Sequence, residues 1–168
     1  MASSDIVVSP ADSKADLNAF IALPKRLYAG HKGYTAPLDV ERREAFTPGK
    51  NPLFEHVEVR FFLARRAGKV VGRISAQIDR AHLERYDDST GHFGCLAAED
   101  DPAIFAALFA AAEGWLRSRN MKHVTGPFSL SVNEEVGLLI HGFDSRPVLM
   151  VPYDPPYAGP RVEACGYV

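Results

Sequence analysis

The chain has 168 residues, 46% hydrophobic and 24% charged, the size and composition of one globular domain. Nineteen Lys and Arg against 21 Asp and Glu leave a net charge of −2, without the basic excess of a nucleic-acid-binding domain. The two cysteines, Cys95 and Cys165, form no CxxC pair, so neither a disulfide framework nor a zinc site is expected, and a reducing cytoplasm is the default. Residues 1–5 lack the basic and apolar regions of a signal peptide, and the longest near-apolar stretch, Ala103–Ala112, is too short to cross a bilayer.

Ile6-Val7-Val8 reads as a first strand ending at Ser9-Pro10. Ser13 or Asp12 then caps a helix through Leu17, Phe20 and Ile21, which Pro24 ends or kinks. From Tyr28 to Phe54, glycines and prolines break the chain into turns, with one helical turn at Leu38–Glu44. Tyr28, His31, Lys32 and Tyr34 make this stretch either a pocket wall or a packed surface connection. Val57 to Leu63 alternates with period two, Ala67-Gly68 supplies a turn, and Lys69–Ile78 returns as a second strand. In that strand Ile74, Ala76 and Ile78 share one face, and Arg73, Ser75 and Gln77 the other. Asp79–Asp88 is a polar helical turn or loop, and Gly91–Leu96 a third strand.

Asp101 followed by Pro102 opens a helix whose stripe runs from Ile104 through Phe105, Leu108, Phe109 and Ala112 to Trp115 and Leu116. Glu99, Asp100 and Asp101 at its start, and Arg117 and Arg119 at its end, complement its dipole, and Asn120 suits the left-handed position beyond it. His123–Phe128 and Pro147–Val151 read as strands, and Pro155-Pro156 opens a short helical segment ending at Gly166. An antiparallel meander handing over to strand–helix–strand makes an α+β fold, with a mixed, mostly antiparallel central sheet flanked by helices.

That order, with the hairpin Ala67–Ile74, resembles the GNAT superfamily of acyl-CoA-dependent N-acyltransferases. The downstream run Gly126-Pro127-Phe128-Ser129-Leu130-Ser131-Val132-Asn133-Glu134-Glu135-Val136-Gly137 is more specific. With Gly142-Phe143-Asp144, Pro152-Tyr153-Asp154-Pro155-Pro156-Tyr157 and Glu163–Tyr167, it resembles a group of longer bacterial GNAT-like proteins related to bacterial ceramide synthases. The resemblance covers nearly the whole chain and implies one GNAT-like domain over residues 1–168, the N-terminal part of a protein about twice as long. It implies acetyl-CoA or a longer acyl-CoA as co-substrate, a small-molecule or lipid-like amine as acceptor, and a sheet lacking its last strands. Its pantetheine arm would lie in a V-shaped opening between Gly91–Ala97 and His123–Phe128, against Phe93, Gly94, Cys95 and Leu96, with Asn133 close by.

One departure stands out. The family's glycine-rich pyrophosphate loop is replaced by Ala97-Ala98-Glu99-Asp100-Asp101-Pro102, where three carboxylates offset the helix dipole and repel an anion. Either CoA binds in another pose, or the domain binds none.

Glu135 or Glu134, after a strand end near the splay, can act as general base toward an ammonium group, or simply cap a short helix. Asn133 is equally a plain N-cap. Tyr157 fits the general acid that reprotonates the CoA thiolate, or with Tyr153 a rigid turn about Asp154-Pro155-Pro156. His56, His92 and His141 stand singly without metal-ligand spacing, so no metal is expected, and Cys95 reads as a small buried apolar residue. The alternative function is a non-catalytic GNAT-like half that packs against or regulates a second, catalytic half. A sheet lacking strands has an open edge, so a homodimer or similar association through it is expected.

Overall fold

The computed structural model describes residues 5–168. In chain order it contains β1 (Ile6–Pro10), α1 (Lys14–Leu27), α2 (Asp39–Ala45) and a 3-10 turn at Pro52–Glu55. The hairpin β2 (Val57–Arg66) and β3 (Lys69–Asp79) follows, then α3 (Arg80–Tyr86), β4 (Thr90–Ala98), α4 (Pro102–Arg117), β5 (His123–Thr125) and α5 (Ala158–Ala164). The strands form one sheet in the order β1-β2-β3-β4-β5, antiparallel except for the parallel β4–β5 pair. This is the mixed, mostly antiparallel sheet that the sequence pattern predicts.

Local chemistry sets most boundaries. Ser13 caps α1 through a reciprocal box: its Oγ accepts from the Asp16 N–H at 3.0 Å, and its own N–H donates to Asp16 Oδ2 at 3.2 Å. Ala67 (φ 48°) and Gly68 (φ 79°) form the two-residue turn, both in the left-handed backbone region, which matches the turn to the right-handed twist of the flanking strands. Asp101 caps α4 by accepting from the Ala103 N–H at 2.8 Å, and Asn120 (φ 65°) takes the left-handed position past its end.

Two apolar layers sandwich the sheet. Phe62, Ile74, Ala76 and Ile78 meet Ile104, Phe105, Leu108 and Leu116 of α4 on one face. Phe20 and Ile21 of α1 and Phe46 meet Leu63 and Cys95 on the other.

Four expectations are corrected. Of the two outcomes expected at Pro24, the helix does not end there: α1 runs on to Leu27. The missing Pro24 N–H leaves the Phe20 carbonyl without its helical donor, and Arg73 of β3 supplies one, Nη1 donating to Phe20 O at 2.7 Å. Strand β5 stops at Thr125, because the chain turns at Gly126-Pro127, although the Phe128 N–H still reaches Phe93 O at 2.8 Å. Pro147–Val151 forms no strand: no neighbouring strand takes its backbone groups, Val148 and Leu149 are exposed, and Met150 has φ 65°. Helix α5 begins at Ala158, three residues after Pro155, and beyond it the Tyr167 ring packs on Phe93 and Phe109.

Strand β4 carries a bulge that matters for the site. Ser75 pairs with Gly94 and Arg73 with Ala97, so Cys95 and Leu96 together oppose Ile74. Cys95 takes φ 49° there.

Candidate functional site

A cavity of about 570 Å³ opens where β5 leaves β4. Its floor is the bulged part of β4, Cys95 to Ala97, beside Arg73 of β3. Tyr28 and Tyr34 from the segment after α1, and Arg42 of α2, form one wall. The segment between β5 and α5 forms the other, bringing in Glu134, Glu135 and Asp154 and an apolar lip from Val148 to Val151.

Close packing places this opening. A Cβ on Gly94 would lie 1.6 Å from the Phe128 carbonyl oxygen, so only glycine lets the chain cross β4 at that point. Up to Phe93 the outer edge of β4 is satisfied by β5 and the Phe128 N–H. Beyond it no strand pairs with that edge among the described residues, which leaves backbone groups free for an extended amide ligand.

The electrostatics are uneven. Glu135 Oε1 accepts from Arg42 Nη2 at 2.9 Å, both side chains being largely buried. Arg73 enters no ion pair among the described residues; its guanidinium lies 4.7 Å over the Phe20 ring and its buried Nε has no hydrogen-bond partner. Burial lowers its pKa from the ordinary arginine value. Asp154 is buried, accepts from the Leu139 N–H at 3.0 Å, and is pushed up to about 6, chiefly by desolvation. Burial likewise drives the Tyr28 phenol far above its usual range and raises Tyr34 and Cys95. Tyr28, Tyr34 and Tyr153 stack at centroid distances of 5.3 to 5.7 Å, and His31 Nδ1 lies 2.7 Å from the Tyr153 hydroxyl.

Several residues singled out in the sequence converge here and others do not. Glu134, Glu135, Cys95 and Leu96 line the cavity. Asn133 is exposed in a turn outside the lining, its N–H donating to Ser131 Oγ at 3.1 Å. Phe93 points into the α4 layer against Phe109, and Gly94 lies under Phe128. Tyr157 is also outside the lining; its hydroxyl donates to Ala98 O at 2.8 Å, and burial pushes it up to about 12. Lys32 is exposed, whereas Tyr28 and Tyr34 do line the cavity. No group of three or more His, Cys, Asp or Glu side chains suited to a metal occurs among the described residues.

The acidic mouth of α4 differs from a simple repulsive patch. Asp101 pairs with Arg66 at 2.5 Å, Asp100 with Arg161 at 2.8 Å, and Glu99 with Lys69 at 3.1 Å and Arg26 at 3.4 Å. The carboxylates are locally neutralised, yet Asp101 itself occupies the first free N–H of the helix. These residues do not fit a pyrophosphate held on the α4 N-terminus.

A solved structure described as a tandem GNAT protein from the clavulanic acid biosynthesis pathway superposes with a TM-score of 0.59 at 16% identity, over 96% of this chain and 43% of that one. The chain has the GNAT fold. Two curated proteins resemble it in sequence. The bacterial ceramide synthase of Caulobacter vibrioides is 54% identical over 165 residues, 98% of this chain and 43% of that protein. Protein YghO of Escherichia coli K12 is 48% identical over 155 residues, 92% of this chain and 40% of that protein. The GNAT-like chain therefore spans less than half the length of these curated relatives. No protein-family model matches it. No helix among the described residues is long and apolar enough to cross a membrane.

Arg73 and Asp154 escaped the sequence reading as site residues, and Tyr153 was read there only as part of a rigid turn. For Arg73 a signal existed: β3 is a central strand, yet its second face reads Arg73, Ser75, Gln77, and Ser75 and Gln77 are fully buried. Polar residues on both-sides-covered strands mark a satisfied network or a site, and here Gln77 Nε2 donates to Phe128 O at 2.6 Å beside the crossing.

Proposed function

We propose that this GNAT-like domain is part of a longer acyltransferase that moves an acyl group from acetyl-CoA or a longer acyl-CoA to an amine. The observation that carries this reading is the cavity at the β4–β5 splay, where unpaired β4 backbone faces a pocket holding both a buried acid and a buried cation. The name of the Caulobacter relative favours a lipid-like amine as acceptor, and the apolar lip at Val148–Val151 is compatible with an aliphatic chain. Two free cysteines are consistent with action in a reducing cytoplasm.

In this reading the amine nitrogen attacks the thioester carbon, the C–S bond breaks, and the ammonium proton passes to a carboxylate. Asp154, buried and with a pKa of about 6, is better matched to that proton near neutrality than Glu135, whose Oε1 is held by Arg42. Glu134 and Glu135 orient the ammonium group from the cavity wall. Tyr157, protonated up to about pH 12, serves as acid for the leaving thiolate once its hydroxyl lets go of Ala98 O. The backbone of Cys95 and Leu96 takes the pantetheine amides, and Asn133 supports it from the rim.

Calorimetric titration of the chain with acetyl-CoA and a long-chain acyl-CoA tests the reading. Binding of either is expected; no heat with either, at sub-millimolar protein, refutes it for this domain. The second reading is a non-catalytic half, associating through the open β5 edge with another copy or with a catalytic partner. The Asp101-filled α4 mouth favours it. Asp154→Asn in the full-length protein decides between them: abolished turnover with intact folding removes the second reading, and unchanged turnover removes the first.

A further inference from the structure

A buried guanidinium without an anionic partner is costly unless something completes it. Arg73 is held in place from two directions. Its Nη1 is spent on the Phe20 carbonyl, which Pro24 has left open, and its plane lies over the Phe20 ring. Its Nε is sealed from water and has no partner, and Nη1→Phe20 O is its one hydrogen bond among the described residues. Nη2 makes no hydrogen bond among the described residues and, unlike Nε, is not sealed, so it is the guanidinium atom that an oxygen in the cavity can reach. The Glu135 carboxylate, which lines the same cavity, is already paired with Arg42.

The surroundings define the ligand. Arg73 stands across the sheet from Ala97, next to the Cys95–Leu96 bulge. The same cavity runs from this charge to the apolar residues Val148, Leu149, Met150 and Val151. An amphiphile with its oxygens at Arg73 and a chain toward the lip matches both ends.

We infer that Arg73 is an oxyanion-binding residue whose free Nη2 holds the oxygen of an acyl group, as carboxylate or as thioester carbonyl. This rests on the acyl-transfer reading for the identity of the group, though the charge site itself does not. When an amine adds to the thioester carbon, the carbonyl electron pair moves onto oxygen and returns as the C–S bond breaks. A fixed cation at that oxygen favours the charged stage over the neutral one.

Calorimetry with octanoate, octanol and octanoyl-CoA tests the assignment on the wild-type chain and on Arg73→Gln. Octanoate is expected to bind at least tenfold tighter than octanol, and Arg73→Gln to remove that advantage while leaving octanol unchanged. Octanoate binding no tighter than octanol, or equally tight in Arg73→Gln, overturns the inference. Should Arg73→Gln not fold, Arg73→Lys takes its place: the octanoate advantage is expected to fall, and an unchanged advantage overturns the inference. If octanoyl-CoA binds with an affinity insensitive to Arg73 and octanoate does not bind, the inference fails and the acyl-CoA reading stands. If octanoate binds through Arg73 and octanoyl-CoA does not bind, the reverse holds.

Discussion

Replacing Asp154 with asparagine should stabilise the protein at alkaline pH and leave it nearly unchanged in acid. Desolvation raises the Asp154 carboxyl from 3.8 to about 6 in the folded chain. At roughly 1.4 kcal/mol per pH unit, ionising it in place costs about 3 kcal/mol. The sign follows from proton linkage. Below pH 3.8 the group is neutral in both states and nothing is lost. Between 3.8 and 6 the folded chain holds a proton that the unfolded chain has released, so stability falls as pH rises. Above 6 both states are ionised and the deficit stays constant. Asparagine keeps an oxygen for the Leu139 N–H, now at 3.0 Å from Oδ2, while removing the charge. Urea unfolding of both proteins at pH 4, 6 and 8 should show a gap that opens with pH toward ~2–3 kcal/mol. Parallel curves across that range would refute the claim that burial destabilises this carboxylate. If Asp154 is also the base, the more stable variant is the less active one, a stability–activity trade-off localised to one oxygen.

Two further outcomes test the framework. Ser13→Ala removes the reciprocal cap of α1 and should cost about 1 kcal/mol, read as a melting temperature lower by ~3 °C. Gly94→Ala sets a methyl against the Phe128 carbonyl and should cost about 3 kcal/mol or more in chemical denaturation; a fully stable variant would show that the chain does not cross there.

What the sequence made legible was local. The β2–β3 hairpin and α4 announce themselves because a period of two, a two-residue turn, an Asp-Pro start and a helical stripe are each written within a few neighbours. Pro24 misled because its consequence is settled by Arg73, 49 positions along the chain, which no window around the proline contains. Asp154 lay hidden because flanking prolines read as a turn, and its burial depends on the distant Leu139 segment and the cavity wall. Pro147–Val151 had strand composition but no neighbour to pair with, since pairing is a property of the sheet and not of the segment. That Glu134 and Glu135 line the cavity was open to a local reading because they follow a strand end, whereas the ion pair with Arg42 was not.

The bulge in β4 divides that strand into two reading frames. Before it the odd positions, Gly91 and Phe93, look toward α4; after it the even positions, Leu96 and Ala98, do so. Removing Cys95, the one residue between Gly94 and Leu96, would restore strict alternation with Leu96 and Ala98 still toward the helix layer and Ala97 still away from it. Removing a residue elsewhere in β4 would instead turn the residues beyond it to the wrong face. Point substitutions in the two halves of β4 thus answer to opposite parity rules, and a single-residue deletion at the bulge should be better tolerated than one elsewhere in the strand.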